Sequence, residues 1–148
     1  MRHLAEELGI PATIEKADVP QVQRTLRLSP EEAARLVRYE FLDRVADEAG
    51  ALRIALGHTA DDQVETVLYR LAASHGRRAL LGMRPRDGRL VRPLLGVWRA
   101  ATEAWCADHG LAWREDPSNA SDAFARNRAR HGLVPALRAL HPLSLIHI

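Results

Sequence analysis

Residues 57–66 read Gly57-His58-Thr59-Ala60-Asp61-Asp62-Gln63-Val64-Glu65-Thr66 and set three carboxylates and a histidine beside the end of a short apolar run. Asp61 and Asp62 beside Glu65 repel one another, and a cation relieves that repulsion. A magnesium ion or a substrate ammonium group is the natural guest. Acidic residues in the first turn of a helix are also favoured by its dipole, by about 0.3–1 kcal/mol each, so helix stabilisation alone is the competing reading. His58, in the turn just before the carboxylates, is a candidate for proton transfer.

The elements around the cluster must hold it at the end of a strand. Leu52-Arg53-Ile54-Ala55-Leu56 is short, mostly apolar and closed by Gly57, as expected of a buried strand in a parallel sheet. Thr59 as N-cap and Asp62 at the third helical position predict a helix from about Ala60. At helical spacing Val64, Val67, Leu68 and Leu71 share one face, directed at the sheet. Asp61, Asp62, Glu65 and Tyr69 share another, directed at a cleft. In an open α/β sheet the strand-to-helix junction is where ligands bind.

Upstream, Ala12-Thr13-Ile14-Glu15 predicts a short strand opening into a polar linker. Ser29-Pro30-Glu31-Glu32 then starts a helix, with Ser29 as N-cap, Pro30 at the first position and Glu32 closing a capping box. That helix keeps its spacing through Ala33, Leu36, Val37, Phe41 and Val45 until Gly50 stops it. Downstream come a basic, turn-rich connection through Arg77-Arg78 and Gly82 to Gly88, a short strand at Leu90-Val91-Arg92-Pro93 that Pro93 ends, a helix from Trp98 to Asp108, and a strand at Leu111-Ala112-Trp113. Repeats and low-complexity segments are absent.

Composition limits the function classes. With 148 residues, 47% hydrophobic and 27% charged, the chain can bury one moderate core. No apolar run approaches the ~20 residues of a membrane span, and the N-terminus lacks an apolar signal core, so the cytoplasm is the expected compartment. Cys106 is the only cysteine, which rules out an internal disulfide or an all-cysteine metal or iron–sulfur site within these residues. Net charge is +2 and Lys16 is the only lysine. The cations are therefore arginines, whose planar forks suit phosphate.

A second region combines Trp113-Arg114-Glu115-Asp116-Pro117-Ser118-Asn119, rich in turn chemistry, with Phe124-Ala125-Arg126-Asn127-Arg128-Ala129-Arg130-His131. On a helix Arg126 and Arg130 share a side. Arg126, Asn127, Arg128 and Arg130 suit phosphate or nucleic-acid contact, and a solvated basic helix is the competing reading.

Five motifs in this order, from residues 57–66 through Gly82-Met83, Arg92-Pro93-Leu94-Leu95 and residues 113–119 to residues 126–131, resemble those of the tRNA(Ile)-lysidine synthase family. The resemblance covers roughly residues 29–140. It implies an α/β fold, a partial parallel-sheet PP-loop ATPase domain of the adenine nucleotide α-hydrolase-like, Rossmann-like kind, followed by a helical segment. Residues 1–110 are then the partial domain, 111–142 its continuation with the basic helical motif, and 143–148 a non-native tail resembling translated sequencing adapter. The implied substrates are ATP with Mg2+, free L-lysine and an isoleucine tRNA with a CAU anticodon. ATP adenylates the C2 oxygen of the wobble cytidine, and the amine of lysine displaces AMP to give lysidine.

By the same resemblance Asp62 and Glu65 recognise lysine, while Asp61 and His58 lie on the ATP and magnesium side, with Asp61 as the Mg2+ ligand. One of these carboxylates or His58 is the candidate base. Arg126, Asn127, Arg128 and Arg130 contact tRNA or the adenylate.

Departures shape the expectation too. The family's Ser-Gly-Gly-x-Asp-Ser phosphate loop does not occur in these 148 residues, so the sequence reads as a fragment with an internal start, inactive alone. The segment 72–80 is poorer in glycine than the family's version, and Trp98 stands where a capping serine or threonine is common. A non-catalytic RNA-binding fragment is the alternative reading, and a PP-loop tRNA thiolase, which needs cysteines beyond Cys106, is a weaker one.

Overall fold

The computed structural model describes residues 2–73, 76, 80–114 and 125–141. The chain divides into two compact units, Met1–Ile54 and Ala55–Ile148. The first is helical: α1 (Arg2–Glu7), α2 (Val19–Leu26) and α3 (Pro30–Glu48), with α2 packed on α3.

Local chemistry explains α3. The Glu32 amide donates to Ser29 Oγ at 3.3 Å and the Ser29 amide donates to the Glu32 carboxylate at 3.0 Å, so the expected box closes in both directions. At the other end the Gly50 amide reaches Asp47 O and the Ala51 amide reaches Ala46 O, the paired bonds that satisfy a helix's last carbonyls.

Two expectations for this unit are corrected. Residues 12–15 form no strand, because residues 11–18 are exposed and find no sheet to join. The polar linker contains α2 instead. Asp18 accepts from the Gln21 amide at 2.9 Å and Pro20 sits in the first turn, both helix-start signals that the polar composition obscured.

The division between units falls inside β1 (Ile54–Ala55). Then follow α4 (Ala60–Ala73), β2 (Arg86–Asp87), β3 (Leu90–Val91), α5 (Arg99–Asp108), α6 (Ala125–Arg128), a π-helical turn (Ala129–Leu133) and α7 (Val134–Leu140). The sheet runs β1-β3-β2, and β2 pairs antiparallel with β3 through Arg86 opposite Val91 and Asp87 opposite Leu90. The α/β class holds and β3 is the strand expected from Leu90, but β2 forms within the stretch read as a basic connection, so the two make a hairpin. Its two-residue turn has Gly88 at φ 59°, the left-handed position a tight hairpin asks of its first residue. The strand expected over residues 52–56 shrinks to two residues. Leu52 is exposed, and pairing with β3 continues only through the Leu56 amide to Val91 O at 2.9 Å.

Val64 and Val67 of α4 and Ala129 of the π turn are buried, and α4 packs against both α6 and the π turn. Pro135 accounts for the π turn. Its ring cannot follow a regular turn without meeting the carbonyl four residues back, and the wider turn, closed by the Val134 amide on Ala129 O, avoids that clash. Residues 111–114 form no strand, which corrects the reading of Leu111-Ala112-Trp113. No described helix is long and apolar enough to cross a membrane. The expectations for residues 74–75, 77–79, 115–119 and 143–148 lie outside the described residues.

Candidate functional site

The strand-to-helix junction after β1 brings together residues far apart in sequence. α4 begins at Ala60 as expected, and its amide donates to Val97 O at 2.9 Å, which draws the start of α5 against the start of α4. Asp62 reaches back to Thr59. Its Oδ2 accepts from the Thr59 amide and from the Thr59 hydroxyl, each at 2.8 Å. The hydroxyl thus donates to the carboxylate, so Asp62 rather than Thr59 is the capping acceptor of this pair.

Asp61 points at the neighbouring helix. Its Oδ2 accepts from the Arg99 amide at 2.7 Å, the first N–H of α5. Trp98, the N-cap of α5, has no side chain able to do this. Asp61 therefore supplies from α4 the cap that α5 lacks locally. Arg99 answers with its side chain, whose Nη2 lies 3.5 Å from Asp62 Oδ1.

Glu65 is the most deeply placed of the three acids, 3% exposed, and its Oε1 accepts from Arg130 Nε at 2.6 Å. The acidic and basic motifs, 65 residues apart, meet in this ion pair. Burial works against the Arg130 charge, but the bond to Glu65, its charge and those of Asp62 and Asp61 outweigh burial and hold the guanidinium above its ordinary pKa. All three carboxylates thus act on one cation.

This revises the charge argument made from sequence. Mutual repulsion among Asp61, Asp62 and Glu65 was expected to call for an external cation, yet Arg99 and Arg130 supply internal ones. The expected separation of faces on α4 is revised as well. Glu65 and Thr66 are buried while Leu71 and Tyr69 are exposed, because the basic helix covers the acidic side. The described side chains alone do not make a full magnesium ligand set, and Mg2+ commonly takes one or two carboxylates together with substrate phosphates. Among the described residues no three His, Cys, Asp or Glu side chains converge on one point, and Asp61 already caps α5.

The remaining site candidates divide by position. His58 lies half-buried in the turn between β1 and α4. On the basic helix Asn127 is buried, Arg126 half-buried and Arg128 exposed, so the motif is not one uniform charged face. Sequence reasoning missed Arg99, although a helix starting after Trp98 with no local cap was the signal that a distant acceptor is needed. Gln63 also went unassigned, though it sits inside the acidic motif. Its Oε1 accepts from the Met83 amide at 2.6 Å and its Nε2 donates to Met83 O at 3.3 Å.

Comparison with known proteins follows the same lines. A family profile for the PP-loop domain matches residues 1–137. The tRNA(Ile)-lysidine synthase of Geobacter sulfurreducens is 44% identical over 140 residues, covering 93% of this chain and 30% of the relative. That of Geobacillus kaustophilus is 45% identical over 129 residues, covering 84% and 28%. That of Dehalococcoides mccartyi is 41% identical over 148 residues, covering 94% and 31%. The chain thus spans about a third of the length of these relatives. Among solved structures, the U34-tRNA thiolase NcsA from Methanococcus maripaludis with its [4Fe-4S] cluster superposes with a TM-score of 0.74 at 20% identity, covering 98% of this chain and 52% of that one, a likeness of fold. With its strand-to-helix junction, its acidic helix and this profile match, the chain belongs to the PP-loop domain family.

Proposed function

We propose that this chain is the part of a tRNA(Ile)-lysidine synthase that carries the lysine-binding and adenylate-facing side of the site. One observation carries the reading: Asp61, Asp62 and Glu65 meet Arg99 and Arg130 at the start of α4, joining the two motifs that the sequence marked separately. The similarity to named lysidine synthases supports the choice within the family.

In this reading the C2 oxygen of the wobble cytidine of an isoleucine tRNA with a CAU anticodon attacks the α-phosphate of ATP, and pyrophosphate leaves. The amine of free L-lysine then attacks C2, AMP leaves, and a proton passes from the amine to a base. Asp62, part-exposed, meets the lysine ammonium first. Glu65 contributes negative charge from below while Arg130 holds it in place. The candidate base is one of these carboxylates or His58, which lies half-buried in the turn before α4. Arg126 and Arg128 face the tRNA or the adenylate, with Asn127 buried beneath them. Asp61 is the residue that would hold a magnesium ion beside the ATP phosphates, and no step is routed through the ion.

The test is a chimera in which this chain replaces its matching part of the Geobacillus kaustophilus relative, assayed for lysidine on an isoleucine tRNA transcript with ATP and lysine. Lysidine should form with the chimera and stay at the no-enzyme level with the 148-residue polypeptide alone, which has no Ser-Gly-Gly-x-Asp-Ser loop. A folded chimera without lysidine sinks the assignment. Turnover by the short polypeptide sinks the need for that loop.

A further inference from the structure

Residues 81–85 belong to no helix or strand, yet their backbone is bound along its whole length by side chains and one amide from other segments. Arg70 Nη1 donates to Leu81 O and, at 3.2 Å, to Gly82 O. Gln63 takes both the amide and the carbonyl of Met83. Arg92 Nη1 donates to Arg84 O at 2.7 Å, and the Arg92 amide donates to Pro85 O at 2.9 Å. A Cβ on Gly82 would overlap the Gln63 carboxamide, so a larger residue there displaces that side chain from the Met83 backbone. Arg92 is 7% exposed, and a guanidinium is seldom buried only to hold a carbonyl.

The bracketed strap carries exposed arginines. Arg84 and Arg86 flank Pro85, both are exposed, and among the described residues neither side chain joins an ion pair. Pro85 restricts its own backbone and that of Arg84, and Arg86 is fixed by the hairpin. The Cα atoms of Arg84 and Arg86 are therefore at most about 7 Å apart along the chain, so both side chains start from a fixed backbone within reach of one nucleic-acid strand.

We propose that residues 84–86 form a preset contact for the phosphate backbone of RNA, with Arg84 and Arg86 as the phosphate ligands and Gln63, Arg70 and Arg92 as positioning residues that hold their backbone. This rests on the reading of the chain as a tRNA-modifying protein and adds a contact outside the acidic and basic motifs. Arginine forks match phosphate oxygens in pairs, and an immobile backbone lowers the ordering cost of binding.

The test measures binding of the 148-residue chain to a fluorescein-labelled anticodon stem-loop RNA across a range of salt. Arg84→Ala and Arg86→Ala should each lower the slope of log affinity against log salt by about 0.7–0.9, whereas Arg24→Ala, an equal loss of charge on α2, should not. Gly82→Ala and Gln63→Ala remove no charge. Each should keep the slope and weaken binding by roughly two- to tenfold. Circular dichroism confirms that each variant is folded, and faster exchange of the Met83 amide reports release of the strap. Slopes for Arg84→Ala and Arg86→Ala equal to that of Arg24→Ala, or a wild-type chain with no salt-dependent RNA affinity, overturn the contact. Wild-type affinity in the two strap variants, despite faster Met83 exchange, overturns the positioning role. Lysidine formation by the chimera is read separately, so loss of this contact leaves the assigned reaction standing.

Discussion

A carboxylate as buried as Glu65 needs a cation, and Arg130 is that cation. Sequence spacing placed Glu65 correctly beside Asp61 and Asp62. It could not find the partner, because helical periodicity reports the face of one helix and says nothing about a residue 65 positions later. The pair has a measurable consequence. Glu65→Gln keeps the volume but leaves Arg130 bonded to a neutral amide, and should lower stability by about 1.5–3 kcal/mol in urea unfolding of the chain. Replacing both, as Glu65→Gln with Arg130→Met, removes the stranded charge and should recover part of that loss. An unchanged urea midpoint in the single variant contradicts the pair's role in folding. In the chimera the same Glu65→Gln change should raise the KM for lysine far more than that for ATP, and equal effects on both would return Glu65 to a purely structural part.

At the scale of elements, what was legible was what closes locally. The start of α3 is written in four consecutive residues, from Ser29 to Glu32, and the structure closes that box. The bonds from Ser29 hold the Glu32 carboxyl below its ordinary value of 4.5. A lowered carboxylate contributes stability above its unfolded pKa and loses it as pH falls through the folded value. The Ser29 amide resonance should therefore titrate with a midpoint below 4.5, and a midpoint at or above that value contradicts the capping bond. The start of α5 was read to within a residue, but its cap was not legible, because it is Asp61, 38 residues away on another helix. Asp61→Ala should cost about 0.5–2 kcal/mol, as for loss of any N-cap, and Asp61→Asn, which keeps an acceptor oxygen, should cost less. Equal losses from the two variants would mean that charge, and not the hydrogen bond to Arg99, is what Asp61 provides. Strands were the least legible elements. Residues 12–15 and 111–113 had suitable composition but no partner strand, while β3 was legible and β2 pairs with it across the Gly88-Arg89 turn from a stretch that composition had marked only as a connection.

For the molecule as a whole, the arginine bias of the sequence resolves into separate tasks set by position. Arg130 and Arg99 face inward to the acidic cluster, Arg70 and Arg92 hold backbone, and Arg84, Arg86 and Arg128 lie at the surface. The basic motif of residues 126–131 thus splits, and its members should respond differently in one experiment. If Arg128 meets tRNA phosphate, Arg128→Ala should lower the salt slope of binding to an isoleucine tRNA transcript by about 0.7–0.9 and leave the urea midpoint of the chain unchanged. Arg130→Ala should do the reverse, because it strands the Glu65 charge beneath the helix and removes no surface cation of comparable exposure. Asn127→Ala, at a buried position, should follow Arg130. Measuring slope and midpoint on the same three preparations separates recognition from support without requiring turnover. Should Arg128→Ala and Arg130→Ala shift the slope equally with no change in midpoint, the inward role of Arg130 is wrong, and the motif is one continuous RNA-binding face.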